Sequence, residues 1–205
     1  MGFYSRVIFP YLLDLSLSDP ISTKYRKQVL SEVSGEVLEI GFGTGLNLPH
    51  YPENITKITT IDPNPGTNRL ARKRIENSPI TVDNRLLSSD DLPFLDNSFD
   101  SIVSTWTLCS IAKIDRAISE LYRVLKPLGK FYFIEHGLSK DPKIQVWQNR
   151  LNPIQKTIAD GCHLNRNIKK IVENRFKILT IEEFYAEDIP KFLGYYYQGI
   201  ATKLN

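Results

Sequence analysis

Hydrophobic positions in this chain switch between two periods, and the switches lay out a repeating order of strands and helices. Short apolar runs at 37–40, 57–61, 80–86, 99–104 and 131–135 predict buried strands. Helical spacing fills 66–76, where Leu70, Ile75 and the stem of Arg74 can pack, and 114–125. Another helix is expected over 21–33, with Asp19 or Ser22 near its start and Gly35 beyond its end. Lys126-Pro127-Leu128-Gly129 should stop the helix before it, because proline lacks a donor and glycine accepts positive φ. Such alternation predicts right-handed crossovers and a parallel sheet with helices on both faces.

Both ends of the chain depart from that rhythm. Asp141-Pro142 should open a helix whose apolar stripe is Ile144, Trp147, Leu151, Ile154 and Ile158. Pro153 is expected to kink or split it, and Asp160-Gly161-Cys162 to end it. A short helix over 166–174 and strands over 176–185 and 195–203 complete the chain, the strands joined by a loop containing Pro190 and Gly194. At the start, Phe3, Tyr4, Val7, Ile8, Tyr11, Leu12 and Leu15 recur at helical spacing, broken by Pro10. Two short amphipathic helices are expected, forming a cap with the 21–33 helix. The first 18 residues would cover a pocket, with Phe3, Tyr4, Ile8 and Tyr11 facing inward.

The densest chemistry lies where the first strand ends. Glu39-Ile40-Gly41-Phe42-Gly43-Thr44-Gly45 puts three alternating glycines after an apolar strand. Asp62 stands at the tip of the next strand, seventeen residues after Gly45, with Pro63 behind it. Glycines leave no Cβ between the backbone and a ligand, and an acid there can accept from both ribose hydroxyls. The dinucleotide fingerprint G-x-G-x-x-G fails, because Leu46 or Leu48 stands where its third glycine should be. That disfavours a nicotinamide dehydrogenase. A phosphate-binding Walker loop fails too, for want of Gly-Lys-Ser/Thr. The ligand expected is an adenosine-containing cofactor, held by an enzyme or by a non-catalytic binding module. Glu39, Asp62, Thr105 and Glu135-His136 all fall at or near carboxyl ends of strands, where ligands bind in such sheets.

Composition narrows the setting. A length of 205 residues, 41% hydrophobic and 24% charged, fits one globular domain over 1–205. A formal charge of +3 is too small to argue for nucleic acid. Two cysteines, Cys109 and Cys162, make no disulfide framework, and a reducing, cytoplasmic setting is expected. No run of roughly 18 apolar residues suggests a membrane span. Arg6, Lys24, Arg26 and Lys27 could still meet an anionic membrane beside the N-terminal apolar face. Cysteines, histidines and acids lack local metal-ligand spacing such as C-x-x-C, so no metal is expected.

Glu39-x-Gly41-x-Gly43-x-Gly45 closely resembles the first motif of class I S-adenosylmethionine-dependent methyltransferases. Asp91-Leu92-Pro93-Phe94-Leu95-Asp96-Asn97-Ser98-Phe99-Asp100 and Leu121-Tyr122-Arg123-Val124-Leu125-Lys126-Pro127-Leu128-Gly129-Lys130 resemble two more of their stretches, with Leu128 in place of a glycine. The resemblance covers about residues 35–135. It implies a Rossmann-like, doubly wound, mostly parallel seven-stranded sheet with an antiparallel C-terminal hairpin strand. It implies S-adenosylmethionine as cofactor and S-adenosylhomocysteine as product, held by Glu39, Gly41, Gly43, Gly45, Asp62, Pro63, Ser88, Ser89, Asp90 and Thr105. Ser88 stands where the family's usual aspartate contacts the adenine amino group.

Ser104-Thr105-Trp106-Thr107-Leu108-Cys109-Ser110, Phe131-Tyr132-Phe133-Ile134-Glu135-His136 and Asp160-Gly161-Cys162-His163-Leu164-Asn165-Arg166 are similar to a narrower branch with alkyl-thiol methyltransferases. Some bacterial relatives there are labelled phospholipid N-methyltransferases. The methyl acceptor is therefore expected to be a small or amphiphilic molecule, an alkyl thiol or a lipid headgroup. His136 is the expected base, because its ordinary pKa lies near neutrality and its strand ends at the pocket rim. Asp160 and His163 are second candidates. Tyr4, Tyr11, Cys109 and Trp147 are expected to line the acceptor pocket.

Overall fold

A computed structural model describes residues 2–203. Seven strands form one sheet in the order β3-β2-β1-β4-β5-β7-β6. They are β1 (Val37–Ile40), β2 (Lys57–Ile61), β3 (Thr81–Arg85), β4 (Phe99–Thr105), β5 (Leu125–His136), β6 (Lys177–Tyr185) and β7 (Tyr195–Thr202). The first five run parallel, and β7 is antiparallel to both β5 and β6. The doubly wound sheet with a reversed C-terminal strand is the one expected. The helices are α1 (Phe9–Leu17), α2 (Pro20–Leu30), α3 (Pro65–Glu76), α4 (Ile114–Val124), α5 (Pro142–Ile158) and α6 (Ile168–Glu173).

Period-two alternation divides the core between the two faces of the sheet. Ile102, Phe131 and Phe133 pack with Ile118, Leu121 and Val124 of α4 and with Ile168 and Val172 of α6. Their neighbours Val103, Tyr132 and Ile134 turn the other way, toward Val29 and Leu30 of α2 and Ala71 of α3. β1 is buried along its whole length at the centre of the sheet. From it the chain winds outward through β2 and β3 on one side, then returns to build β4 and β5 on the other. The crevice beyond the carboxyl end of β1 is therefore the topological switch point.

Helix starts follow the sequence. The Asp19 carboxylate accepts from the Ile21 and Ser22 amides, Asn64 caps α3 by accepting from Gly66, and Asp141 caps α5 by accepting from Lys143. Two expectations change. Pro153 lies inside α5 without splitting it, and the helix closes at Ala159, Asp160 and Gly161 as expected, the last two at φ of +46° and +96°. The N-terminal pattern is resolved as a π-helical turn, Tyr4–Ile8, running directly into α1. Met1 lies outside the described residues.

Leu128 adopts φ of +61° while 70% exposed, in the bulged entry to β5. A left-handed conformation costs a side-chain-bearing residue roughly 1–2 kcal/mol, and glycine's extra chain entropy offsets roughly 0.5–1 kcal/mol of any relief. Leu128→Gly is expected to stabilise the fold and raise Tm by about 2 °C. A thermal melt of the variant with a lower midpoint would show that the Leu128 side chain contributes packing that outweighs the strain.

Candidate active site

A cavity of about 470 Å³ opens at the carboxyl ends of β1, β2 and β4. Gly41, Gly43 and Gly45 turn the chain there with φ of +64°, +59° and +80°. Gly43 lines the cavity, and a Cβ on it would meet no atom closer than 3.8 Å, so a side chain would grow into the cavity itself. The Gly43 amide donates to Asp62 Oδ2 at 2.8 Å, and the Asn64 amide donates to Oδ1 at 2.7 Å. The acid at the tip of β2 thus fixes the glycine loop while lining the same space. Burial raises its pKa against the opposing pull of those two amides and the Thr67 hydroxyl.

Among the described residues, three buried polar atoms without a partner belong to residues that line this cavity: Arg26 Nη1, Asn47 Oδ1 and Trp106 Nε1. The Arg26 guanidinium lies over the Trp106 ring at 4.6 Å, is 3% exposed, and donates through Nη2 to the Leu17 carbonyl at 3.3 Å. Burial brings its pKa down to about 10, opposed by the Glu39 carboxylate. Arg26 was grouped with the surface cations by its sequence neighbours. The buried face of α2 carries it inward, while Arg6, Lys24 and Lys27 are exposed.

Glu39 does not line the cavity. It is 1% exposed and accepts from Asn47 Nδ2 at 2.8 Å and from the Tyr51 hydroxyl at 2.6 Å. Burial pushes its pKa up to about 7. Asn47 Nδ2 also donates to Thr105 Oγ1 at 3.1 Å, which leaves the amide oxygen as the unpartnered atom. Glu39 therefore orients a residue of the cavity from behind it. Leu87, Ser88, Ser89, Asp90, Ile111 and Lys113 form another stretch of wall, and Lys113 pairs with Asp90 at 3.0 Å.

The N-terminal segment supplies a further wall, but with other residues than its spacing suggested. Phe9, Leu13 and Leu17 of α1 line the cavity. Phe3, Ile8 and Tyr11 point outward, 72%, 43% and 56% exposed. Tyr4 donates to the Ile158 carbonyl at 2.5 Å at the end of α5, away from the cavity wall. The π-helical turn adds a residue per turn, so a count at 3.6 from Phe3 reaches the wrong face by α1. Polar contacts seat the segment: Ser5 donates to Asp160 Oδ2 at 2.7 Å, and its carbonyl accepts from Asn64 Nδ2 at 2.8 Å. Asp14 accepts from Arg74 at 2.8 Å, and Arg74 also donates to the Thr44 carbonyl of the glycine loop at 2.9 Å. Gly66 makes the seating feasible, since a Cβ there would lie 2.1 Å from the Arg6 carbonyl oxygen.

Other expected acceptor residues also lie off the wall. Trp147 is 54% exposed on α5, and Cys109 is buried behind Ser110. His136 is 7% exposed and faces Cys162 Sγ, 3.6 Å from its Nδ1, without lining the cavity. His163 is half-buried and outside the wall as well. Asp160 is the expected polar residue that does reach the cavity there. Glu135, fully buried, accepts from the Ser104 hydroxyl at 2.7 Å and the Thr107 amide at 2.9 Å, and so pins the loop after β4.

A family described as Methyltransferase domain matches residues 38–133, which carry the glycine loop, Asp62 and the first five strands. Thiol S-methyltransferase TMT1A of Homo sapiens is 33% identical over 193 residues, covering 87% of this chain and 79% of that protein. The chain is an S-adenosylmethionine-dependent methyltransferase. A phosphatidylethanolamine N-methyltransferase of Cereibacter sphaeroides is 26% identical over 74% of this methyltransferase and 75% of its own length. A solved methyltransferase of Thermotoga maritima shares the fold at a TM-score of 0.66 and 18% identity, over 96% of this chain and 98% of that one. The dehydrogenase and the non-catalytic binding module both give way to this membership.

The methyltransferase's unpartnered atoms suit its cofactor. Arg26 Nη1 and Trp106 Nε1 are donors that would take the methionine carboxylate, and Asn47 Oδ1 is an acceptor for the ammonium. Asp62 would hold the ribose, with Leu87, Ile111 and Ser88 to Asp90 around the adenine. Arg26, Asn47 and Trp106 carry no motif spacing, and their signal is polar atoms buried unsatisfied at one cavity.

Proposed function

We propose that this methyltransferase methylates the sulfur of a small or amphiphilic alkyl thiol. One observation carries the reading: the wall around Asp160. Five charged residues line the cavity, namely Arg26, Asp62, Asp90, Lys113 and Asp160. With Arg26 and Asp62 assigned to the cofactor and Asp90 paired to Lys113, Asp160 is the charge left for the acceptor, in a cavity that apolar Phe9, Leu13 and Leu17 also line. The apolar part of that lining costs a charged amine more than a neutral thiol, and the Asp160 carboxylate can accept the S–H of the thiol. The name of the human relative, a thiol S-methyltransferase, supports the same acceptor.

Bound S-adenosylmethionine supplies a methyl group on a sulfonium, which transfers by in-line displacement. The chain's own part is to bind, orient and exclude water. Phe9, Leu13 and Leu17 act as a lid that dries the acceptor end. Asp160, held by Ser5, is placed to accept the hydrogen bond of the acceptor thiol and to take up its proton. It replaces His136 as candidate base because it reaches the cavity.

A lipid headgroup is the second reading, favoured by the exposed Phe3, Ile8, Leu12 and Leu15 beside Arg6. Peripheral contact with a membrane surface belongs to the same proposal. No described helix is long and apolar enough to cross a membrane. The test follows S-adenosylhomocysteine release with a panel of alkyl thiols and, separately, with phosphatidylethanolamine vesicles. Thiols are expected to turn over at pH values well below those at which an alkyl thiol ionises in water, because Asp160 takes the proton from the bound thiol. Asp160→Asn is expected to lower that rate about a hundredfold or more, the usual range for a positioned base. Release with vesicles and with no thiol overturns the reading, and co-sedimentation of protein with the vesicles reports the membrane contact.

A further inference from the structure

Behind the acceptor wall, three segments far apart in sequence bring two thiols and an imidazole together. Cys109 follows β4, His136 ends β5, and Cys162 follows α5. Cys162 Sγ lies 3.2 Å from Cys109 Sγ, and 3.6 and 3.7 Å from the two ring nitrogens of His136. One ligand atom from each of the three falls within 4.8 Å of the others. Their exposures are 1%, 7% and 9% for Cys109, His136 and Cys162. Among the described hydrogen bonds, the His136 ring has no partner other than the Cys162 sulfur.

We propose that Cys109, His136 and Cys162 bind one soft d¹⁰ metal ion, with Zn(II) as the probe of that class. Thiolate and imidazole donors select such ions over hard cations. Zinc–sulfur bonds of about 2.3 Å in tetrahedral geometry place two sulfurs about 3.8 Å apart, so the pair at 3.2 Å needs to part by roughly 0.6 Å. Binding forms two metal–sulfur bonds and one metal–nitrogen bond, and both thiol protons leave to solvent. Two thiolates then balance a divalent charge in a buried place, where a net charge would be costly. Ser110 Oγ lies 3.6 Å from Cys109 Sγ.

The ion would clamp the loop after β4 to the loop after α5. Those loops present Ser110 and Asp160 to the cavity, and Asp160 holds the N-terminal segment through Ser5. The local spacing of cysteines and histidines gave no sign of this set, because topology rather than sequence assembles it.

The experiment uses the reduced, chelator-treated full chain, titrated with Zn(II) against a chromophoric competitor and, in parallel, with Co(II). One ion per chain and thiolate-to-cobalt charge-transfer absorption are expected. Cys109→Ser and Cys162→Ser should each weaken uptake at least tenfold. Alkylation of the wild-type chain gives a reading that needs no variant. Its two cysteines are the whole thiol complement, and Zn(II) should slow the modification of both. Failure of the reduced chain to take up metal overturns the proposal, as does uptake unchanged by both substitutions. An air-formed Cys109–Cys162 disulfide in a chain that takes up no ion overturns it too and assigns the pair to redox chemistry.

Discussion

Asp62→Ala is expected to weaken S-adenosylmethionine binding at least tenfold. Two losses add. The ribose hydroxyls lose a carboxylate acceptor, and hydrogen bonds to a charged group are each worth roughly 1.5–3 kcal/mol. The glycine loop also loses its tether, since the Gly43 and Asn64 amides both donate to that carboxylate. Asp62→Asn separates the two, because an amide oxygen can still accept one of these bonds while the charge is gone. Calorimetry on both folded variants gives the measurement. Unchanged affinity in the alanine variant would remove Asp62 from the cofactor site.

Arg26→Met is expected to weaken cofactor and product alike, by about ten- to hundredfold, the loss of one charge-assisted contact to the carboxylate. Methionine keeps the buried stem and removes a guanidinium that carries an unpartnered nitrogen. Folding stability is expected to fall modestly, because the Leu17 carbonyl loses its donor and buried Glu39 loses a nearby positive charge. The control ligand is 5′-methylthioadenosine, which has the nucleoside and no amino-acid end. It should bind wild type and Arg26→Met equally. An equal loss for all three ligands would mean that Arg26 shapes the cavity rather than reading the carboxylate.

The glycine loop and Asp62 were legible because their chemistry is local. A glycine turn after one strand and an acid after the next are fixed by adjacent residues, and Gly43 and Asp62 meet as that spacing implies. The parallel sheet with helices on both faces followed from alternation, and the reversed last strand from the family resemblance, while the strand order is read from the structure alone. What sequence could not show is what long-range packing decides. Arg26 reads as one more cation beside Lys24 and Lys27 until α2 buries one face against the sheet. The inward face of α1 depends on a π-helical turn that no periodicity announces. His136 does end a strand at the rim, but its ring turns toward Cys162 and leaves Asp160 at the cavity.

Arg74 holds the N-terminal segment and the glycine loop with one guanidinium, through Asp14 and the Thr44 carbonyl. The ion pair is partly open to solvent, with side chains 32% and 29% exposed, and such pairs contribute up to about 1 kcal/mol. A segment that walls the cavity has to swing aside before spent cofactor can leave. Seen as a door, it has a light catch on this side and is seated more firmly where Ser5 meets Asp160 and Asn64. A firmer catch would keep S-adenosylhomocysteine inside after every transfer, so tightening this contact would gain stability and lose throughput.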